Sequence, residues 1–396
     1  MYIIWFICSC LMVNSHKLPI WKTGLLAETP ILLFPGMGAS RLFIRGEPSR
    51  FNEFPNKKRQ VYPPTMQNFI CHFNEWKTHM MQSKGGLTTM EFGDRNALAI
   101  APDTSIFSFL TSSLNKYEQI LKQPNTFAVP YDFRRMDDCD YMDELSTKIC
   151  KYIESFGKPV TLLAHSTGGL LIHWILHQQS KEWKDKCVDK VIYVNVPFAG
   201  CVAALDNCVR HDTNINRIIG RDVFQSLGAA VLNLPNSKYL KDILEVDGEN
   251  VEDYLTFFES SQNYGSFDDI KQRLNCNKQM IDSFSKSTGI ETHIVYSTKN
   301  EHENEDDDEE IKIETIVSHE LDEMLCKVFH KNTPVGLVIN HGKVSIRYGK
   351  GDGVVSLDSL MVPRFWDQTN ITFHYIPKYE HSSILQNWNL QNNTID

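Results

Sequence analysis

A serine hydroxyl is a poor nucleophile at neutral pH unless a base takes its proton and a third group holds that base in the right tautomer. Three positions of this 396-residue chain have the residue types and settings for those roles: Ser166, Asp352 and His381. Ser166 stands in Ala164-His165-Ser166-Thr167-Gly168, between the apolar run Val160–Ala164 and an amphipathic stretch that begins Gly169-Leu170-Leu171-Ile172. A serine between small residues at a strand-to-helix turn is a nucleophile elbow, here with alanine in place of the first glycine. The turn is strained, so the residues two before and two after the serine must be small, as Ala164 and Gly168 are. Asp352 lies in Gly351-Asp352-Gly353-Val354-Val355, a glycine-flanked loop ahead of a segment that reads as a strand. His381 lies in Tyr379-Glu380-His381-Ser382-Ser383-Ile384-Leu385, a loop ahead of a helix. Taken singly, such residues also serve as a helix cap, a turn residue and a helix-start residue. Taken in the order Ser, Asp, His at successive strand ends, they make a triad in which Ser166 attacks, His381 is the general base and Asp352 accepts the imidazole Nδ1–H.

Asp358 and Glu380 are the rival carboxylates and rank below Asp352, while His165, His173, His341 and His374 lack a comparable loop position. A developing oxyanion needs two aimed amides, one from the residue after the nucleophile and one from the loop after an early strand. Thr167 supplies the first. For the second, the run Ile31-Leu32-Leu33-Phe34 enters Pro35-Gly36-Met37-Gly38, and Met37 is the expected donor, although this stretch also fits an ordinary glycine turn.

The elements that must position these groups are legible as short apolar runs alternating with helical patterns, the signature of a largely parallel sheet covered on both faces. Strands are expected at Ile31–Phe34, Thr126–Pro130, Val160–Ala164, Val191–Val194, Thr292–Tyr296 and Ile371–Ile376, and a helix over Asp138–Phe156 stopped by Gly157 and Pro159. With the elbow, this predicts an α/β-hydrolase fold: a mostly parallel central sheet, helices on both faces, and cap or lid insertions. Two stretches break the rhythm, about 45–99 and about 201–289, and read as the lid and cap insertions of one domain spanning 16–396.

The formal charge of −9, without basic tracts, argues against nucleic acid as a partner. Hydrophobic residues at 42% with charged residues at 22% fit a globular protein. Residues 1–15, apolar from Tyr2 to Val13, are too short to span a bilayer and read as a signal peptide that lacks a basic n-region, or else as a buried N-terminal element. Two Asn-x-Thr sequons, at Asn370 and Asn392, are compatible with a secretory route. Of the ten cysteines, eight follow the leader; their connectivity does not follow from spacing, and the local Cys201/Cys208 pair is the expected bridge. Residues 301–310, EHENEDDDEE, form a like-charge run expected to be a solvated loop. No zinc, P-loop or dinucleotide motif is present, so neither metal nor cofactor is expected.

Several segments together resemble the lecithin:cholesterol acyltransferase family, which includes lysosomal phospholipase A2 and the phospholipid:diacylglycerol acyltransferases. They are ILLFPGMGASRLF, VPYDFRR at 129–135, TLLAHSTGGLL, VIYVNVPFAG at 191–200, THIVYST, YGKGDGVVSLDSL and YEHSSIL, in the family's order from Ile31 to Leu385. PYDFR is similar to the family's Pro-Tyr-Asp-Trp-Arg, with Phe133 for tryptophan. The resemblance implies cleavage of a phospholipid acyl ester through an acyl-serine, with transfer of the acyl group to water or a lipid alcohol. It also implies a membrane-binding region in the 45–99 insertion and peripheral work on a phospholipid membrane or lipoprotein surface; the leader at 1–15 fits a secreted, lysosomal or endomembrane location alike. The family's secreted members carry a disulfide in that insertion, whereas this chain has only Cys71 there. Two other readings stand beside it: a simple carboxylesterase or triacylglycerol lipase with the same triad, and a non-catalytic lipid-binding protein on a hydrolase fold.

Overall fold

The computed structural model describes residues 29–44, 59–64, 71–81, 86–98, 117–123, 125–213, 215–298, 333–367, 370–377 and 379–385. The leader at 1–15, the acidic run at 301–310, the Asn392 sequon and much of the 45–99 stretch lie outside the described residues. In chain order the described strands are β1 (Ile31–Phe34), β2 (Leu42–Ile44), β3 (Arg59–Tyr62), β4 (Leu87–Thr88), β5 (Thr126–Ala128), β6 (Val160–His165), β7 (Val188–Val194), β8 (Leu244–Val246), β9 (Glu249–Asn250), β10 (Thr292–Thr298), β11 (Thr333–Asn340), β12 (Lys343–Gly349) and β13 (Ile371–Pro377).

The central sheet has six strands in the order β13-β10-β7-β6-β1-β5. Every neighbouring pair is parallel. These are the six strands that the apolar runs predict, with ends shifted by up to three residues: β7 begins at Val188 and β5 stops at Ala128. A parallel sheet is covered on both faces, so its strands are apolar at successive positions. Alternation then sorts those side chains between two cores. Leu32, Phe34, Leu162, Ala164 and Tyr193 enter the larger one; Ile31, Leu33, Leu163, Ile192 and Val194 enter the smaller.

Five helices matter to the site: α1 (Phe73–Met81), α2 (Cys139–Glu154), α3 (Thr167–His177), α4 (Val202–Val209) and α5 (Arg221–Ser226). The Asp138 carboxylate accepts from the Tyr141 amide and so caps α2, which buries Met142, Leu145, Ile149 and Ile153 at helical spacing. Helix α3 lies tight against the sheet. A Cβ on Gly168 would come within 2.5 Å of the Phe34 and Pro35 carbonyl oxygens, and one on Gly169 within 2.2 Å of a Val196 methyl.

From β1 the chain goes to β5 on one side, then returns past β1 to β6 and continues outward through β7, β10 and β13. The strand order therefore reverses between β1 and β6, and in open α/β sheets ligands bind at that reversal, beyond the carboxyl ends of the strands. Both the Gly36 loop and Ser166 leave the sheet there.

Two smaller sheets flank this core, β12-β11-β8-β9 and β3-β2-β4. The first contains a hairpin that the apolar runs did not predict: β11 and β12 turn at His341-Gly342, with φ of 49° and 79°. It delivers the chain to Asp352. The segment after Asp352, expected to be a strand, is instead a turn leading to a short helix at Leu357–Leu360. The expected Cys201–Cys208 bridge is also corrected: both thiols are free and buried. Cys201 immediately precedes α4 and Cys208 lies within it. Seven residues of helix rise roughly 10 Å, beyond the roughly 7 Å that a disulfide's Cα atoms tolerate. No described helix is long and apolar enough to cross a membrane.

Candidate active site

Ser166 sits between β6 and α3 with φ 53° and ψ −132°, a region non-glycine residues avoid. Its amide donates to the Val194 carbonyl at 3.0 Å and its carbonyl accepts from Gly169 at 2.8 Å, so both sides of the turn are pinned. The side chain is 9% exposed at the carboxyl end of the sheet. The Ser166 hydroxyl lies 2.8 Å from His381 Nε2. His381 Nδ1 lies 2.7 Å from Asp352 Oδ2.

The Asp352 turn explains why one carboxylate oxygen faces the histidine. Oδ1 accepts from the amides of Val354 at 3.0 Å and Val355 at 2.7 Å. Gly353, at φ 92°, donates its amide to Thr333 Oγ1 at 2.8 Å. With Oδ1 occupied by the backbone and the group fully buried, Oδ2 is left to accept from His381 Nδ1–H. That leaves Nε2 unprotonated and able to accept from the serine. The two loops are joined again through the backbone, where the His381 amide donates to the Asp352 carbonyl at 2.8 Å.

The structure thus brings Ser166, Asp352 and His381 into one line of hydrogen bonds. It does not bring the rival carboxylates there: Asp358 lies exposed on the 357–360 helix, and the carboxylate that meets the His381 imidazole is that of Asp352. His374 bonds His293 at 3.0 Å, His341 occupies the hairpin turn, and His173 is core. Burial, with His177 beside it, lowers the His173 imidazole to about 3.

Of the two amides expected at an oxyanion, that of Thr167 opens α3, where the first amides of a helix have no partner within it. Met37 lies in the turn after β1, half-exposed, before Gly38 at φ 76°. A Cβ on Gly36 would fall 3.1 Å from the Ser166 Cβ, so this loop runs directly past the nucleophile. Tyr131 of the PYDFR segment donates from its hydroxyl to the Pro35 carbonyl at 2.7 Å and fixes the same loop. In that segment Asp132 and Arg134 form a buried pair, with Arg134 Nε 2.9 Å from Asp132 Oδ1. Arg134 also donates to the His79 carbonyl at the end of α1.

Beyond Met37 and Gly38 opens an apolar cavity of about 120 Å³, lined by Tyr62, Trp76, Phe133, Ile219, Val223 and Leu227 among others. Its walls come from the 45–99 stretch, the core and the 201–289 stretch. Lys77 of α1 and Asp222 of α5 pair across those two stretches at 2.7 Å.

Three residues at the site were not singled out from sequence. His165, set aside for lacking a loop position, places Nε2 2.9 Å from the His381 carbonyl. Asn195 donates from Nδ2 to the same oxygen at 3.0 Å. Tyr117 lies 2.6 Å from His165 Nδ1. His165 carried a signal, its place next to Ser166; the other two carried none.

A strained serine between a parallel strand and a helix at the reversal of strand order, with a histidine after the last strand, defines an α/β-hydrolase fold. A chain of the Tle4–Tli4 complex crystal structure shares this fold, with a TM-score of 0.52 and 11% identity over 92% of this chain and 97% of that chain. In sequence the chain resembles the lecithin:cholesterol acyltransferase family, whose model matches residues 74–215. It is 24% identical over 272 residues to the lysosomal phospholipase A and acyltransferase of Rattus norvegicus, covering 65% of this chain and 58% of that protein. It is 28% identical over 123 residues to the phosphatidylcholine-sterol acyltransferase of Mus musculus, covering 31% of this chain and 27% of that protein. The chain therefore spans less than two thirds of the length of these relatives.

Proposed function

We propose that this protein is a serine-dependent lipid acyl hydrolase and O-acyltransferase that cleaves a phospholipid acyl ester. Ser166 attacks the ester carbonyl while His381 takes its proton, and Asp352 holds the imidazole in the tautomer that does so. The tetrahedral oxyanion lies against the Met37 and Thr167 amides. Its collapse leaves the acyl group on Ser166 and expels the lysolipid alcohol, which takes the proton from His381. Water or a lipid alcohol, deprotonated in turn by His381, then accepts the acyl group and restores the serine.

The observation that carries this reading is the hydrogen-bond line from Asp352 through His381 to Ser166 at the elbow. The apolar cavity beside Met37 suits an acyl chain rather than a polar group. Similarity to a phospholipase A and acyltransferase supports a phospholipid donor. The lysosomal name of that relative supports a secreted or lysosomal setting reached by the secretory pathway, and a phospholipid donor would be met there at a phospholipid membrane or lipoprotein surface. The exposed Asn370 of the first sequon is open to the glycosylation that such a route permits.

The test incubates the protein and its Ser166→Ala variant with phosphatidylcholine vesicles containing a long-chain alcohol. Free fatty acid and a new ester are expected from the wild type alone, with ester rising at the expense of acid as alcohol is added. Hydrolysis of short soluble esters without any vesicle product would favour a simple carboxylesterase, and equal turnover by Ser166→Ala would remove the serine from the mechanism.

A further inference from the structure

The His381 backbone carbonyl is an unusual focus for a catalytic loop: two buried side chains from the ends of neighbouring strands, His165 as the last residue of β6 and Asn195 just after β7, converge on it. Proton directions along this contact are fixed by chemistry. A carbonyl only accepts, so His165 Nε2 carries the hydrogen. In the neutral ring Nδ1 is then an acceptor, and the Tyr117 hydroxyl 2.6 Å away must donate to it. The Tyr117 oxygen in turn accepts from the Gly36 amide at 2.8 Å. The result is one directed chain: Gly36 N–H to Tyr117 O–H to His165, and His165 Nε2–H to the carbonyl of His381. Both intermediate side chains are buried. Asn195 is anchored for its share by Ser297, whose amide donates to Asn195 Oδ1 at 3.0 Å.

The two ends of this chain are the two loops that must keep register across Ser166. Gly36 immediately precedes Met37, the proposed oxyanion donor, and His381 is the proposed base. We propose that Tyr117 and His165 are positioning residues that lock the oxyanion loop to the base loop, so that amide donor and imidazole stay in fixed geometry about the serine. The inference rests on the serine-hydrolase reading above. Neither residue touches substrate; their effect passes through Gly36 and His381. Misplacement of a reacting group by about 1 Å costs on the order of 100-fold in rate, so a loosened link slows chemistry rather than weakening binding.

The experiment is time-resolved labelling of Ser166 by an alkyl fluorophosphonate, which reads nucleophile activation without a membrane. Rates are followed against probe concentration for the wild type, Tyr117→Phe, His165→Gln, His165→Leu and the Tyr117→Phe/His165→Gln pair. Tyr117→Phe keeps the ring and its packing and removes only the hydroxyl. The expected result is full labelling stoichiometry with a limiting first-order rate about 10- to 100-fold lower and an unchanged half-saturating concentration. His165→Gln, whose amide can still donate to the His381 carbonyl, is expected to be faster than His165→Leu. The double variant should be no slower than the worse single one, because both break the same chain. Variants that label at the wild-type rate would overturn the proposal. So would variants whose stoichiometry alone falls, since that reports lost fold and not lost positioning. A wild-type protein that the probe does not label would refute the serine-hydrolase reading itself, and this link with it.

Discussion

At the scale of single residues, the candidate site is set by which atoms are already committed. Asp352 Oδ1 is bound by two backbone amides, so Oδ2 faces His381 and fixes its tautomer. Replacing Asp352 by Asn keeps the volume and those backbone contacts possible but offers an N–H donor or a weaker acceptor to Nδ1. Asp352→Asn should lower kcat on a soluble ester by about 10²- to 10⁴-fold with little change in KM, read by steady-state kinetics alongside thermal melting; unchanged kcat would remove Asp352 from the mechanism. Ser166, Asp352 and His381 were legible because each stands in a local pattern that constrains it: small residues around a strained serine, glycines around a buried turn, a loop after a strand. His165 and Tyr117 were not, because their meaning lies in partners far along the chain. Tyr117 is 48 residues from His165, and His165 is 216 residues from His381.

At the scale of elements, α3 carries both the elbow and the packing that holds it. On one side its glycines admit the β1 loop and Val196. On the other, buried His173 lies 3.0 Å from the Tyr193 hydroxyl and 3.1 Å from the carbonyls of Ser283 and Lys286, which end the 201–289 stretch. Burial favours the neutral ring and lowers it to about 3, whereas an unfolded histidine titrates near 6.5. Between those values the unfolded chain binds the extra proton, so the contribution of His173 to stability is complete above about 6.5 and is lost as pH falls toward about 3. Denaturant melts from pH 7 to pH 4 should show wild-type stability falling more steeply than that of His173→Gln, by up to about 1.4 kcal/mol per pH unit; parallel profiles would contradict this. The six central strands were legible in their apolar runs because burial on both faces leaves little room for polar residues. The β11–β12 hairpin was not, because Pro334 and Gly336 interrupt the apolar run of β11, β12 is polar and largely exposed, and the turn is His-Gly in place of the commoner Asn-Gly. The Cys201–Cys208 expectation failed at this scale too: closeness in sequence becomes separation once a helix sets the spacing.

At the scale of the whole molecule, the parallel sheet puts the loop after β1 and the serine after β6 side by side at one reversal of strand order. Two stretches remote in sequence then close an apolar cavity beside them. The sequence marked those stretches as departures from the sheet's rhythm; the cavity they share depends on contacts such as Lys77 with Asp222, which no local pattern encodes. The proposed function assigns to this geometry one chemical event, transfer of a lipid acyl group to Ser166. It is tested most directly by acid-quenching the protein within the first turnovers on phosphatidylcholine vesicles and mapping the adduct by peptide mass spectrometry. The account predicts an acyl mass on Ser166, absent from Ser166→Ala and discharged as an ester when a long-chain alcohol is added before the quench. Turnover with no adduct on Ser166, together with activity retained by Ser166→Ala, would contradict it.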